Sequence, residues 1–174
     1  MATVRLATTD DIAAIARVHV ESWQSAYREL LPAAYLSGLA LSEREEQWRQ
    51  VLAGRNTTVL VAVDQHDVVG FVAFGPVQTQ AVSAEYYKLF TLYLLEHYWS
   101  TGVGRQLLQA GLQQMREQGA QVIRLAVLSA NERARKAYEA VQFTPVVASE
   151  ETVELGGIRL QEMQYQWTLT DSLR

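Results

Sequence analysis

The sequence predicts a fold of the mixed α/β (α+β) class, a mostly antiparallel sheet with helices packed on it, and three observations carry that prediction. Two β-branched runs, Thr57 to Val63 and Val68 to Gly75, flank the polar turn Asp64-Gln65-His66-Asp67, the pattern of an antiparallel hairpin. Leu92 to Leu108 reads as the end of a buried strand, then a glycine turn, then an amphipathic helix. Phe143 to Thr168 reads as two strands around Gly156-Gly157, a favoured hairpin turn. Helices interleaved with such strands need a sheet to bury their apolar faces against.

Taken in order, Val4-Arg5-Leu6-Ala7 alternates as a short opening strand, and Thr8-Thr9-Asp10-Asp11 supplies a helix N-cap with carboxylates in its first turn. The helix that follows sets Ile12, Ile15, Ala16, His19, Trp23 and Tyr27 on one face and stops before Pro32. Tyr35, Leu36 and Leu39 mark a short helical turn, and Ser42 starts a helix with Trp48, Val51 and Leu52 inward. Gln78 to Glu85 is polar and reads as a loop; Tyr87 to Leu95 is the next strand. From Gly102 to Gln118 the spacing of Val103, Leu107, Leu108, Leu112 and Met115 predicts an amphipathic helix, with Gly119 as its cap. Gln121 to Leu128 is strand-like, and Asn131 to Val141 is a short helix with Ala134, Ala137, Tyr138 and Val141 on one face. With no repeats, linkers or low-complexity tracts, a single domain over residues 1–174 is expected.

The bulk numbers narrow the function classes. Hydrophobic residues at 49% and charged residues at 20% are those of an ordinary globular chain. No apolar run is long enough to span a bilayer and the N-terminus does not read as a secretory leader, so a cytoplasmic protein without a membrane partner is expected. A net charge of -4 without a Lys/Arg cluster argues against nucleic acid. The absence of cysteine removes disulfides, thiolate metal sites and a cysteine nucleophile. His19, His66 and His97 show no metal-ligand spacing, so no metal site is expected.

The glycine turn is the chemical focus. A helix that opens on Gly102-Val103-Gly104 brings free backbone N–H groups and the positive end of its dipole to one point, which suits a pyrophosphate. The turn Trp99-Ser100-Thr101-Gly102-Val103-Gly104 resembles the cofactor motif Arg/Gln-x-x-Gly-x-Gly/Ala of the GNAT superfamily of acetyl-CoA dependent N-acetyltransferases, with Trp99 in the first place. The run NERARKAYEAVQF, Asn131 to Phe143, resembles that family's Asn-x-x-Ala-x-x-x-Tyr-x-x-x-Gly-Phe, with Gln142 in place of the glycine. Two motifs in their expected strand and helix contexts are far more specific than either alone.

The resemblance implies a sheet of six to seven strands that splays after a bulge, between the fourth and fifth strands. It implies that the pantetheine arm of acetyl-CoA pairs with the backbone of Leu92, Tyr93 and Leu94. The N–H groups of Ser100, Thr101, Gly102, Val103, Gly104 and Arg105 would hold the pyrophosphate, and Asn131 would contact the cofactor arm. Tyr138, two turns beyond Asn131 on one helix face, would protonate the departing thiolate.

On this resemblance, an amine attacks the thioester directly and no acyl-enzyme forms. The family's usual glutamate base aligns with Lys88, so Glu85, Glu21 or an ordered water stand as alternatives. Trp23, Tyr27 and Glu85 are candidate acceptor contacts, with core packing the competing role for the two aromatics. The expected acceptor is a primary amine of a small molecule. A protein N-terminus or lysine is the alternative acceptor, an inactive acyl-CoA-binding sensor the alternative class. A homodimer through the C-terminal strands is implied by resemblance.

Overall fold

A computed structural model describes residues 1–77 and 85–169. Its organising element is the expected hairpin, β2 (Thr58–Asp64) and β3 (Asp67–Pro76). Gln65 and His66 join the strands with positive φ, 47° and 79°, the handedness that matches strand twist in a two-residue turn. β1 (Thr3–Leu6) pairs antiparallel with β2, and β4 (Tyr86–Leu94) pairs antiparallel with β3.

β3 is buried from Val68 to Gly75 because helices cover both of its faces. On one face lie α1 (Ile12–Ala26) and α3 (Leu41–Ala53): Phe71 meets the Trp48 ring at 4.9 Å and the Tyr93 ring at 5.6 Å. On the other lies α4 (Val103–Glu117), whose Gly111 brings the helix against Val72 and Phe74. All five inward residues expected of this helix are buried. A single 3-10 turn, Thr9–Asp11, precedes α1, and Asp11 takes two hydrogen bonds from Arg5, at 2.7 and 2.9 Å, and one from the Thr8 N–H at 2.8 Å. The short turn at Tyr35 is α2 (Ala33–Ser37).

The C-terminal half adds β5 (Val122–Leu128), α5 (Glu132–Glu139), β7 (Glu151–Leu155) and β8 (Ile158–Thr168). β8 pairs with β5 on one edge and with β7 on the other. One short element escaped the sequence reading: the two-residue β6 (Thr144–Pro145) also pairs with β8, making an eight-stranded sheet in the order β1-β2-β3-β4-β5-β8-β6 with β7 beside β8. The polar segment expected as a loop lies, from residue 78 to 84, outside the described residues. Among the described residues no helix is long and apolar enough to cross a membrane.

Two irregularities open the sheet. In β4, Thr91 faces Ala73 and Leu89 faces Phe74, so Phe90 is an extra residue and forms a bulge. β4 and β5 then run parallel, in register only at Tyr86, Lys88 and the residue between them, opposite Val122 to Arg124. Beyond that point β4 stays with β3 and β5 stays with β8, and the sheet divides into a V.

Candidate active site

The V holds a cleft of about 770 Å³. Thr91 to Leu94 form one wall, Ala126 to Leu128 the other, and Lys88 closes the narrow end. Past the pairing with β5, the inner edge of β4 offers backbone groups that no strand of the sheet takes up. One of these is occupied: the Leu94 carbonyl accepts a hydrogen bond from the Trp99 indole at 3.0 Å.

At the wide end the chain makes a 3-10 turn, Glu96–Tyr98, and reaches α4 through Ser100 and Gly102, both with positive φ, 60° and 94°. The first N–H groups of α4 have no partner inside the helix and face this opening. A Cβ on Gly102 would meet no atom within 4 Å, and one on Gly104 only a Leu94 methyl at 3.7 Å. Internal packing therefore does not require glycine at 104. Ser100, Gly102, Gly104 and Arg105 line the cleft. Thr101 instead donates its hydroxyl to the Tyr98 carbonyl at 2.6 Å, and Val103 is a buried anchor.

Across the V, Asn131 caps α5: its Oδ1 accepts from the Ala134 N–H at 3.2 Å. Its side chain also meets the Tyr27 hydroxyl. Arg133, two residues on, stacks on Trp99 with its guanidinium carbon 3.1 Å from the ring centroid. Burial draws the Arg133 pKa down, against the opposing influence of Tyr27 and Glu96. Tyr138 reaches the cleft from the buried side of α5, packed near Phe143 and Tyr165 at centroid distances of 6.0 and 6.5 Å. Burial, and secondarily Tyr27, pushes its phenol pKa well up, so it carries its proton at neutral pH.

Trp23 and Tyr27, the last turn of α1 and its cap, also line the cleft. They meet edge to face at 5.1 Å, and Trp23 lies 6.3 Å from Tyr93. Tyr93 stacks on the buried His19 at 4.9 Å, so the core continues into the cleft wall through aromatic rings. Burial raises the phenol pKa of both Tyr27 and Tyr93. Two polar atoms here, Trp23 Nε1 and Thr91 Oγ1, are buried without a hydrogen-bond partner among the described residues.

Glu85 is not brought to the cleft. Its carbonyl accepts from Gln121 and Val122 at the closed end of the V, ahead of Tyr86. Glu21 pairs with Arg17 at 3.6 Å on the outer face of α1. The carboxylates that do line the cleft are Glu154 and Glu162, from β7 and β8, which sequence reasoning missed. Arg133 was missed as well, although it falls inside the Asn131 to Phe143 motif.

Comparison with known proteins settles the family. A family model described as Acetyltransferase (GNAT) family matches residues 18–143. The chain belongs to the GNAT acetyltransferase family. It is 34% identical over 176 residues to the Bacillus subtilis (strain 168) protein described as uncharacterized N-acetyltransferase YuaI, covering 100% of this chain and 97% of that protein. GNAT relatives of known structure share the fold. They include yncA from Salmonella typhimurium, solved with its cofactor acetyl-CoA, at TM-score 0.73 and 20% identity over 100% of this chain and 97% of that one. Ribosomal-protein-alanine N-acetyltransferase from Brucella melitensis superposes at TM-score 0.78 and 21% identity, covering 96% and 99% of the two chains. As a GNAT member this chain is an acyltransferase that uses acetyl-CoA as its cosubstrate.

Proposed function

We propose that the enzyme moves the acetyl group of acetyl-CoA to a primary amine of a small molecule, by direct attack and without an acyl-enzyme. The observation that carries this reading is one continuous cleft linking the open helix N-terminus at Gly102 and Gly104, the free edge of β4, the protonated phenol of Tyr138 and an aromatic chamber at Trp23 and Tyr27. A small acceptor is favoured because the chamber is walled on several sides. The tip of the β7–β8 hairpin at Gly156 sits against Tyr35 and Pro32, beside the aromatic end of α1.

Acetyl-CoA supplies an activated thioester carbonyl and a thiolate leaving group. The N–H groups from Ser100 to Arg105 hold its phosphates, where the glycines let the backbone come close. Leu92, Tyr93 and Leu94 align the pantetheine arm by main-chain pairing, with Asn131 facing them. Tyr138 gives its proton to the departing sulfur; its raised pKa keeps that proton in place until then. The reading also includes one domain, a cytosolic location, and a homodimer through the edge left beside β6 and β7.

Release of coenzyme A thiol across a panel of polyamines, aminoglycosides, amino acids and short peptides tests this, without background because the chain has no cysteine. A hit among small amines supports the reading; release only with peptides moves the acceptor to a protein N-terminus. Tyr138→Phe should lower kcat by about 10- to 100-fold and leave acetyl-CoA affinity unchanged. Equal kcat for variant and parent would remove Tyr138 from the chemistry.

A further inference from the structure

We propose that Glu162 binds the acceptor's amino group and takes the proton that leaves nitrogen as the amide forms, with Tyr27 carrying that proton on to Tyr138. The proposal rests on the acetyltransferase reading above and assigns the base that the motifs leave open.

Strand alternation places Glu162. Tyr165 of β8 turns toward α5, where its hydroxyl bonds Glu139 at 2.7 Å and Arg135 at 3.2 Å. Side chains alternate along a strand, so Glu162, an odd number of residues away, turns to the opposite face, the one that carries the end of α1. There it stands beside Leu128 of β5 and Glu151 of β7, its register partners, and lines the cleft. Glu162 is half-buried, Glu154 is exposed at the rim, and among the described residues no lysine or arginine forms a salt bridge with either.

A half-buried carboxylate with no salt-bridge partner among the described residues, lining the same cleft as Trp23 and Tyr27, fits an alkylammonium: the charge is met by the carboxylate and the alkyl part by aromatic faces. Thr91 Oγ1, buried without a hydrogen-bond partner among the described residues, offers a further hydrogen bond in the same cleft. Tyr27 lines the same cleft as Glu162 and Tyr138, and its phenol is electrostatically coupled to both. The other charged groups lining the cleft among the described residues are Lys88 at the narrow end, Arg105 of α4, Arg133 and Lys136 of α5, and Glu154 of β7.

The bound ammonium first releases one proton to solvent through the open cleft, which frees the lone pair on nitrogen. That lone pair forms the C–N bond while the C–S bond breaks, and a second nitrogen proton, made acidic by the new bond, passes to Glu162. Sulfur takes the Tyr138 proton, and Tyr27 relays the Glu162 proton to the Tyr138 oxygen. Ammonium plus thioester gives amide, thiol and one proton, with all three side chains restored.

Thiol release is followed with phenethylamine, spermidine and glycinamide as probe amines, from mildly acidic to mildly alkaline pH, beside calorimetric titration with acetyl-CoA. Glu162→Gln should lower kcat/KM for the best probe by about 100-fold or more. Glu162→Asp should recover part of the rate, Tyr27→Phe should show an intermediate loss, and the exposed control variant Glu117→Gln, on α4 outside the cleft, should match the parent. Acetyl-CoA affinity should hold in all four. A Glu162→Gln protein that keeps the parent's rate overturns the proposal; if that variant does not fold, Glu162→Asp and Tyr27→Phe at parental rates do so. A parent that binds no acetyl-CoA would overturn the acetyltransferase reading itself. A parent that binds it yet releases no thiol with any probe overturns the amine chamber and Glu162's place in it.

Discussion

The Arg133 guanidinium carbon stands 3.1 Å from the centroid of the Trp99 ring, so the first turn of α5 is clasped to the turn that follows β4. The indole meanwhile donates to the Leu94 carbonyl, which ties the clasp to the end of β4. The contact bridges the wide end of the V, between two walls that no backbone pairing joins there. It also gives the departure at Trp99 a structural role: the ring that replaces the motif's polar side chain carries a cation from the opposite wall.

Trp99→Ala and Arg133→Ala should each lower stability, and the double variant should fall short of their sum by about 1 kcal/mol, the usual worth of a cation stacked on an aromatic face. Urea unfolding of the four proteins gives the coupling directly. Additive losses would mean that the stack contributes nothing.

Gly104→Ala separates fold from ligand. A methyl group there meets only a Leu94 methyl at van der Waals distance, so the helix should gain up to about 1 kcal/mol from the better propensity of alanine. Acetyl-CoA affinity should hold in Gly104→Ala, since the motif also takes alanine at this place, whereas the branched side chain of Gly104→Val should lower it about tenfold by holding phosphate oxygens off the backbone. Melting temperature and calorimetry on the two variants check both; unchanged affinity in Gly104→Val would move the phosphates away from this turn.

His19 should make stability depend on pH. Burial, with a smaller contribution from the Arg44 charge, lowers its pKa from 6.5 to about 4, while its Nδ1 accepts a hydrogen bond from the Trp48 indole at 3.1 Å. Between those two values the unfolded chain binds the proton and the folded chain does not. Stability from this residue is therefore complete above pH 6.5, declines as the pH falls toward 4 and changes no further below it. The full span is about 3 kcal/mol. Unfolding midpoints across this range should fall with acidity in the parent and flatten in His19→Gln.

Gln142 occupies the glycine place of the second motif and has φ of 72°. The left-handed region costs an L-residue roughly 1 to 2 kcal/mol, part of which glycine gives back as chain entropy. Gln142→Gly should therefore stabilise the protein by about 0.5 to 1 kcal/mol and raise Tm by about 2 °C. A lower Tm would show that the Gln142 side chain holds the turn in a way its exposed position does not reveal.

How much of this was legible in the sequence depended on the range of the interactions. The hairpin around Gln65 and His66 and the inward set of α4 are written locally, in β-branched runs and in helical spacing. β6 left no signal, since two residues ending in proline show no alternation. The bulge at Phe90 appears only when β4 is laid against β3. Tyr138 was found through its motif, whereas Glu162 has no motif: its position depends on the parity of β8 relative to Tyr165, on the splay of β4 from β5 and on the end of α1. Glu85, read as the end of a loop, stands at the closed end of the V outside the cleft lining, a placement that depends on the pairing of β4 with β5.

The short parallel seam at Tyr86 to Lys88 works like the spine of a book whose pages are the two halves of the sheet. Tyr93 stands on one page and Glu162 on the other, so a small rotation at the spine becomes a larger displacement where the reacting atoms would meet. The side chains of Lys88 and Arg124, paired at the last rung, are then a means of adjusting that angle from below. New acceptors can be fitted by substitutions at the seam as well as by substitutions in the chamber wall.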